Sequence, residues 1–164
     1  MNLIVAVSKD WGIGFQGDLL YHLMEDMKYF RRETLGKTVV MGRKTLESLP
    51  GGKPLPKRDT VVLTRNREMF VPGVKIVHDV DELLAYTEPI TDDVFVCGGA
   101  EIYRELLPYC RLAYITEIDG VKPADTYFPN LDELPEWSRI SESDPIEEDG
   151  LTYRFCIWEN ANLK

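Results

Sequence analysis

Five short apolar segments that alternate with helical patterns constrain the fold of this chain more than any other feature. They are Leu3–Val7, Thr38–Met41, Thr60–Thr64, the segment VKIVH ending at His78, and Val94–Gly98. Continuous apolar segments of this length are typical of strands covered on both faces, as in parallel sheets. Glycines and helical patterns follow several of them, and this β-α alternation predicts an α/β fold.

The last third of the chain has a different pattern. Leu112–Asp119 predicts a further strand, and Asp125–Pro129 predicts a turn. Trp137–Ser143 and Thr152–Glu159 alternate in polarity on either side of the acidic segment DPIEEDG, which predicts an antiparallel hairpin. We therefore expect one domain over residues 1–164, with about eight strands in a mostly parallel mixed sheet, an antiparallel C-terminal hairpin and about four flanking helices.

Composition argues against several classes of protein. The 164 residues are 44% hydrophobic, which is enough for a core, and no apolar segment is as long as a membrane span. The net charge of −9 argues against a nucleic-acid partner. Three cysteines without a C-x-x-C pair fit a reduced compartment. Because the start lacks signal-peptide features and no apolar surface stripe is left over, we expect a cytoplasmic monomer.

Asp26 occupies an unusual position in the predicted helix that follows Tyr21. Leu23, Met27, Phe30 and Thr34 fall on one apolar stripe at helical spacing, and Asp26 lies on the same stripe. A carboxylate on an apolar face needs a partner or a raised pKa. Two interpretations are open: a structural ion pair or bond to backbone N–H groups, and a functional acid that lines a cleft.

Two strand–glycine–helix junctions are candidate anion sites. Gly42 precedes a helix that begins with Arg43, Lys44 and Thr45, and Gly98-Gly99 precedes the helix that ends near Pro108. Exposed N–H groups at such helix starts attract phosphate. The G-x-G-x-x-G fingerprint is absent, but Thr64-Arg65 at a strand end would suit a 2′-phosphate.

The remaining chemistry is sparse. With two histidines in different contexts, neither a Ser-His-Asp triad nor a metal site is indicated. The segment SKDWGIGFQGD has three glycines and predicts a long loop that could close over a site. An inward acid, two anion sites and a mobile loop favour redox chemistry in which a dinucleotide performs the difficult step.

The chain resembles the dihydrofolate reductase family over nearly all of its length. The segments that carry the resemblance are LIVAVSKDWGIG, EDMKYFRRET, VVMGRKTLESL, KPLPKR, VVLTR, VCGGAEIY, YITEID and DTYFP. MGRKT with GGAEIY downstream is the most specific of these. The resemblance implies an eight-stranded mixed sheet and NADPH-dependent reduction of 7,8-dihydrofolate, with hydride transfer to C6 and protonation at N5. It also implies antifolate inhibitors as ligands.

On the substrate side, the resemblance makes Asp26 the single active-site carboxylate, which would hold the 2-amino group and N3 of the pterin together with Thr116. Arg58 would pair with the α-carboxylate of the glutamate tail. Cys97 and Tyr103 would border the place of hydride transfer. The residues expected to wall the rings are Ile4, Val5, Leu19, Met27, Phe30, Leu49 and Leu55.

On the cofactor side, Ala6 and Ile13 would meet the nicotinamide, and Thr64 and Arg65 would bind the 2′-phosphate. The other expected NADPH-binding residues are Gly42, Arg43, Lys44, Thr45, Leu63, His78, Gly98, Gly99, Ala100, Glu101, Ile102 and Thr126. No metal is implied. The lid Trp11–Leu20 would control the access of water to N5, and Asp125 would steady it.

The sequence departs from the family pattern in the lid, where Leu20-Tyr21 replaces the usual Pro-Trp pair. We count Tyr21 and Leu19 with Asp26 as candidate catalytic residues, because the Tyr21 hydroxyl can replace the indole donor, although not in the same place. The departure predicts altered loop kinetics and altered antifolate affinity.

Two alternative functions share some of these features. One is an NADPH-dependent pyrimidine reductase of riboflavin synthesis with the same fold, and the other is a non-catalytic NADPH-binding module. Asp26, Phe30 and Arg58 argue against the first, because that class lacks the acidic helix and the glutamate-binding arginine.

Overall fold

The computed structural model describes all 164 residues. In chain order, the elements are β1 (Asn2–Val7), β2 (Gly12–Phe15), β3 (Asp18–Leu19), α1 (Met24–Thr34), β4 (Thr38–Gly42), α2 (Arg43–Ser48), β5 (Asp59–Leu63), β6 (Val74–Val77), α3 (Val80–Thr87), β7 (Val94–Gly98), α4 (Ala100–Leu106), β8 (Leu112–Ile118), β9 (Thr126–Tyr127), β10 (Trp137–Glu142), β11 (Ile146–Glu148) and β12 (Leu151–Asn160). Short 3₁₀ turns lie at Pro50–Gly52, Glu88–Asp93, Leu107–Tyr109 and Leu131–Glu133.

The main sheet has the spatial order β10-β12-β8-β1-β7-β4-β5-β6, and β11 pairs with β12 as a ninth strand. All pairings among β1, β4, β5, β6, β7 and β8 are parallel, whereas β12 runs antiparallel to β8, β10 and β11. The predicted α/β class, the mostly parallel mixed sheet of eight strands, the antiparallel end and the four helices are confirmed. The acidic segment between the hairpin strands is not a plain loop, because β11 forms within it.

Helices cover both faces of this sheet, which explains the continuous apolar segments. Leu3, Val5 and Val7 of β1 join the main core of 24 buried residues, which also contains Leu83 of α3 and Leu106 of α4. Ile4, on the other face of β1, packs with Tyr29 of α1, and Leu46 of α2 packs with Met41 of β4, so the strands in the middle of the sheet have no solvent face. No helix combines the length and the apolar composition needed to cross a membrane.

The glycine-rich segment differs from the prediction of a long loop. It forms β2 and β3, which build a separate three-stranded sheet with β9, a segment predicted as a turn. Gln16 and Gly17 connect β2 to β3 with φ of 52° and 81°, the left-handed pair that a tight two-residue hairpin requires. The partner strand β9 lies more than 100 residues away, so the local pattern of glycines could not reveal the pairing.

Helix α1 buries a different set of residues from the predicted stripe. Leu23 and Thr34 are buried, but Met27 is 62% exposed, so the chain itself does not cover the whole stripe. Tyr29, which the stripe omits, is buried and stacks on Phe155 of β12 with ring centroids 4.0 Å apart. The helix therefore packs sideways onto the hairpin as well as downward onto the sheet.

A polar cluster around Glu117 joins the hairpin to the base of the small sheet. Glu117 of β8 accepts hydrogen bonds from Arg139 Nη2 at 2.6 Å and Nε at 3.2 Å, and from Trp158 Nε1 at 3.0 Å. Trp158 meets Trp11 edge to face at 6.1 Å, and Trp11 directly precedes β2. Burial alone would raise the pKa of Glu117, but the hydrogen bonds from Arg139, Cys156 and Trp158 and the Arg139 charge outweigh it and lower the pKa.

Because the pKa of Glu117 is lowered on folding, its ionised form stabilises the fold above the ordinary pKa of 4.5, and this contribution is lost as pH falls through the lowered value. We expect Glu117→Gln to cost roughly 1 kcal/mol in the free energy of unfolding at pH 7 and less at pH 4. Urea unfolding at both pH values measures this. Glu142→Gln, in an exposed pair with Arg154, is the matched control and should have little effect. Equal losses for the two variants at pH 7 would contradict the prediction.

Candidate active site

The carboxyl ends of neighbouring parallel strands bring most of the predicted site residues to one edge of the sheet. Strands β1, β7, β4 and β5 lie side by side and point the same way. Their ends carry Gly98-Gly99, Gly42 and Thr64. Ligands of open parallel sheets bind at this edge, next to the strand where the order reverses. Here that strand is β1, with β7 on one side and β8 on the other.

Asp26 lies in the first turn of α1, and its carboxylate contacts β8. The hydroxyl of Thr116, itself buried, donates to Oδ1 of Asp26 at 2.6 Å. Asp26 forms no ion pair and accepts no backbone N–H bond, so the structural interpretation that the sequence left open does not apply. Burial raises the pKa of Asp26, the negative charge of Glu148 raises it further, and the Thr116 bond partly opposes both. The result is a carboxyl with free acceptor capacity.

Apolar side chains from the sheet and α1 lie around this carboxyl. Ile4, Tyr29 and Phe95 form one buried cluster, against which Phe30 and Cys97 pack. Leu49 and Cys97 also pack against a second cluster that contains Met41, while Leu55 is half-buried. Ile4 and Phe30 thus lie together, whereas Leu49 packs in the second cluster, and the wall of a ring-binding cleft stays a prediction for these residues.

Two predicted substrate residues, Val5 and Tyr103, take up other positions, whereas Cys97 lies among these apolar side chains. The Val5 side chain belongs to the main core on the opposite face of the sheet. Tyr103 is buried in the main core, and its hydroxyl donates to the carbonyl of Ile4 in β1 at 2.7 Å. Cys97 donates weakly to Phe95 O at 3.4 Å, and burial raises the pKa of its thiol to about 12. A thiol with that pKa stays protonated near neutral pH and is a poor nucleophile.

Arg58 stands at the other end of α1 from Asp26. The Gly36 amide, just past the helix, donates to the carbonyl of Lys57 at 2.9 Å, which brings Arg58 beside the helix C terminus. From Asp26 to Thr34, eight residues on, the helix rises about 12 Å. Nε of Arg58 is buried without a hydrogen-bond partner, and burial followed by the charge of Arg31 lowers its pKa. The site thus has an acid at one end and an unpaired cation at the other.

The two strand–glycine–helix junctions touch each other. A Cβ added to Gly42 would lie 3.0 Å from Cγ1 of Ile102 and 4.0 Å from the Gly99 amide nitrogen. A Cβ added to Gly98 or Gly99 would lie 3.5 or 3.6 Å from the Thr45 hydroxyl. Neither α2 nor α4 has a side-chain cap at its N terminus, so N–H groups of both first turns remain free. Backbone donors with a hydroxyl between them suit a diphosphate.

The charged residues at these junctions differ in availability. Arg43 is engaged with Glu47 at 2.8 Å, whereas Lys44 is exposed without an ion pair. Ala100 is half-buried and Glu101 is exposed. The carboxylate of Glu101 adds negative charge in the first turn of α4, so the anion-binding capacity there comes from backbone N–H groups.

The residues expected around a 2′-phosphate meet beyond β5 and β6. Nδ1 of His78 lies 2.9 Å from the carbonyl oxygen of Thr64, and the Thr64 hydroxyl accepts from the Asn66 amide at 3.2 Å. Arg65 is exposed and has no ion pair. Leu63 is buried in the main core, so only its backbone reaches this surface.

The small sheet contains the segment predicted to act as a lid, and Asp125 forms hydrogen bonds with its first hairpin. Oδ2 of Asp125 accepts from the Gln16 amide at 2.9 Å, and the Asp125 amide donates to Gly14 O at 3.0 Å. The hydroxyl of Thr126, a residue expected to bind NADPH, donates to Asp125 Oδ1 at 2.8 Å and is therefore engaged within the small sheet.

The two residues expected at the nicotinamide, and Leu19 of the predicted lid, occupy different environments. Ile13 packs in the main core, Ala6 packs against the Leu20–Tyr21 cluster, and Leu19 is 64% exposed.

Tyr21 is not placed to act on Asp26. Its ring is buried with Leu20, Leu23 and Tyr153, and its hydroxyl lies beside Gly120, 3.1 Å from where a Cβ would stand. The ammonium of Lys122 lies 4.5 Å from the centre of the Tyr21 ring and donates to Leu20 O at 3.0 Å. The Leu20-Tyr21 pair is therefore fastened to the loop after β8, and the hydroxyl forms no hydrogen bond with Asp26.

Sequence reasoning missed Glu148, which accepts hydrogen bonds from the first two amides of α1, and Lys122. For Glu148 a signal existed. Leu23 precedes the helix and cannot cap it, so an acceptor from elsewhere in the chain was needed, and DPIEEDG is rich in carboxylates. For Lys122 no local signal exists, because its contacts depend on the loop geometry.

Comparison with known proteins places this geometry in a family. The family profile described as Dihydrofolate reductase matches residues 1–160. The dihydrofolate reductase of Enterococcus faecium is 36% identical over 96% of this chain and 95% of its own length. That of Bacillus subtilis (strain 168) is 33% identical over 99% and 95%.

A solved structure extends the likeness to three dimensions. The dihydrofolate reductase from Enterococcus faecalis, complexed with NADP(H) and RAB-propyl, has a TM-score of 0.84 and 32% identity, covering 97% of this chain and 95% of the other. The profile match, the identities over nearly the whole length and the shared fold agree with one another. This chain belongs to the dihydrofolate reductase family.

Proposed function

We propose that this protein reduces 7,8-dihydrofolate to 5,6,7,8-tetrahydrofolate with NADPH, so that C6 receives a hydride and N5 a proton. The observation that carries the proposal is Asp26, a largely buried carboxyl that contacts Thr116 and no cation. Such a group requires a partner with N–H donors, and the amino-pyrimidine edge of a pterin presents two of them side by side. Membership of the family supports the same substrate.

The substrate side of the cleft matches an elongated ligand with unlike ends. Asp26 binds the pterin, and the apolar surface of Ile4, Phe30, Leu49 and Leu55 accommodates the aromatic rings. Met27 is exposed on the same side of α1 and covers the aminobenzoyl ring. Arg58 binds the α-carboxylate of the glutamate tail, for which its planar guanidinium is suited.

The residues at the strand ends fit NADPH. The touching glycines Gly42 and Gly99 leave room for a diphosphate between the starts of α2 and α4, where Thr45 and free N–H groups are donors. Arg65, Thr64 and His78 hold the 2′-phosphate, and Lys44 adds positive charge. The backbone of Ala6 and the lid near Ile13 border the nicotinamide. NADPH supplies the hydride when bound.

The contribution of the chain to the proton step is electrostatic. Arg58, the other unpaired ionisable side chain of the cleft, stands at the far end of α1, so water delivers the proton to N5 and the lid limits its access. The raised pKa lets Asp26 keep its proton at higher pH than an ordinary carboxyl does, and its hydrogen bond to the pterin favours the protonated ring. The hydride step should therefore slow as pH rises through that pKa.

We infer that the protein works as a monomer in the cytoplasm, with antifolates as competing ligands and no nucleic-acid partner. Three free cysteines, two of them fully buried, suit a reducing compartment. The net charge of −9 repels nucleic acid.

The proposed reaction is tested against both alternatives in one assay. NADPH is mixed with the protein, with and without dihydrofolate, and absorbance of the reduced nicotinamide is followed. We expect oxidation only when dihydrofolate is present. Binding of NADPH without oxidation would favour a non-catalytic module, and oxidation with a ribosylamino-pyrimidine but not with dihydrofolate would favour the riboflavin-type reductase.

Asp26→Asn removes the charge but keeps an acceptor for Thr116. We expect turnover at pH 7 to fall about 10²- to 10³-fold and the dependence on pH to disappear. The folded-state pKa of Asp26 is raised, so its ionised form destabilises the fold once pH exceeds the ordinary value, and the Asn variant should melt higher at pH 7. Glu25→Gln, on the same turn but exposed, is the control. Wild-type turnover in the Asn variant would make the acid structural.

Arg58→Gln should raise KM for dihydrofolate by roughly 10- to 100-fold with little change in kcat, because a charge-assisted bond to the substrate tail is lost. A matched substrate that lacks the glutamate tail should show no such increase. Lys57→Gln, at an exposed neighbouring position, controls for the change in net charge. If Arg58→Gln weakens both substrates equally, Arg58 does not bind the tail.

A further inference from the structure

The N terminus of α1 is capped by a residue from the other end of the chain. The first hydrogen bond within the helix runs from the Met27 amide to Leu23 O at 2.9 Å, which leaves the amides of the first turn without helical partners. The carboxylate of Glu148 accepts from the Met24 amide at 2.7 Å and from the Glu25 amide at 3.3 Å. Glu148 thus takes the place of the missing N-cap side chain.

Glu148 is itself held firmly. Asp149 and Gly150, with φ of 52° and 78°, form a two-residue turn that pairs Glu148 with Leu151. The hydroxyl of Tyr153, which is fully buried, donates to Oε1 of Glu148 at 2.9 Å. The position of the carboxylate is therefore set by β11 and β12, independently of the bonds that it accepts from α1.

The same strand also supports the partner of Asp26. In β12, Phe155 pairs with Thr116 of β8, two residues beyond Tyr153. One strand thus sets the position of the hydroxyl that contacts Asp26 and of the carboxylate that caps its helix. The acidic hairpin has no role in the proposed function, but it contacts both the helix that carries Asp26 and the strand that carries Thr116.

We propose that Glu148 is a positioning residue for Asp26, because its carboxylate caps and so fixes the first turn of α1, in which Asp26 lies. The proposal rests on the role proposed above for Asp26. It assigns Glu148 no contact with substrate or cofactor.

Glu148 is the charged group that distinguishes the surroundings of Asp26. Burial is the largest cause of the raised pKa of Asp26, and the charge of Glu148 is the other cause that raises it. Its own pKa is lowered, first by the bond from Met24, so it is ionised near neutral pH. Lys28 is paired with Glu25 at 3.3 Å. The other ionisable groups facing Asp26 are tyrosines with raised pKa values, which are neutral there: Tyr29, Tyr103 and Tyr153.

The first test is a ¹³C-detected titration of the Asp26 carboxyl in the free protein. Glu148→Gln removes the charge but keeps one acceptor for the helix, whereas Glu147→Gln removes the same charge from the adjacent, exposed position. We expect Glu148→Gln to move the titration midpoint of Asp26 to lower pH and Glu147→Gln to leave it in place. Equal shifts, or none in either variant, would overturn the electrostatic part of the proposal.

The second test is hydrogen exchange at the amides of Met24 and Glu25. Glu148→Ala removes the cap, and exchange there should quicken about fivefold, as for a helix that loses a cap of ordinary strength. Tyr153→Phe, which keeps the carboxylate but frees it, should have a smaller effect in the same direction. If Glu148→Ala folds and exchanges at the wild-type rate, the cap does not position the turn.

Both measurements use the free protein, so they remain informative if dihydrofolate is not the substrate. With an active enzyme, the pH profile of kcat/KM adds a readout that a purely structural role would not move. Its midpoint should shift to lower pH in Glu148→Gln and stay unchanged in Glu147→Gln. A loss of activity at all pH values without a shift would contradict the proposal.

Discussion

Removal of the Asp26 carboxylate from water without a compensating cation is the constraint on which the rest of the cleft depends. The carboxyl is largely buried, yet its one protein partner is the hydroxyl of Thr116. Ionisation in that setting costs free energy, so the group shares a proton or finds donors in a ligand. The unpaired guanidinium of Arg58 lies beside the far end of the same helix. The separation keeps the two groups from neutralising each other.

The sheet topology arranges the rest of the site around this acid. Parallel neighbours end at one edge, so junctions that are far apart in sequence, such as Gly42 and Gly99, come into contact there. The contact is close because neither residue has a side chain. Asp26 extends from α1, and that helix packs through Tyr29 on the face of the sheet that carries Ile4 and Phe95. The acid, the apolar side chains around it and the candidate anion sites thus derive from different elements of the chain.

Much of this could be predicted from the sequence where the physical cause is local. The strands were recognisable because a segment buried on both faces is apolar throughout, and the Asp79 cap of α3 because its side chain accepts from Glu82 three residues on. Asp26 was recognisable because helical spacing places it on the same stripe as the apolar residues of α1. The face of the sheet on which the Val5 and Leu63 side chains lie could not be predicted. A strand that is buried on both faces has no alternation of polarity to distinguish the two faces.

Features that depend on distant partners escaped prediction. The pairing of β2 with β9 and the burial of Tyr29 against Phe155 require a surface supplied by the far end of the chain. The fastening of Tyr21 by Lys122 is of the same kind, and it places the hydroxyl away from Asp26 despite the family likeness of the segment. Such contacts leave no trace in local periodicity.

The cap on α1 bears on the order in which the molecule assembles during translation. Met24 and Glu148 are 124 residues apart, and β1 pairs only with β7 and β8, which are synthesised in the second half of the chain. A nascent chain that lacks the hairpin has made the helix that carries Asp26 but not the residue that caps it. Contacts of such long range form late and slow the search for the native state. The acid of the cleft therefore reaches its final environment only when the last strand has left the ribosome.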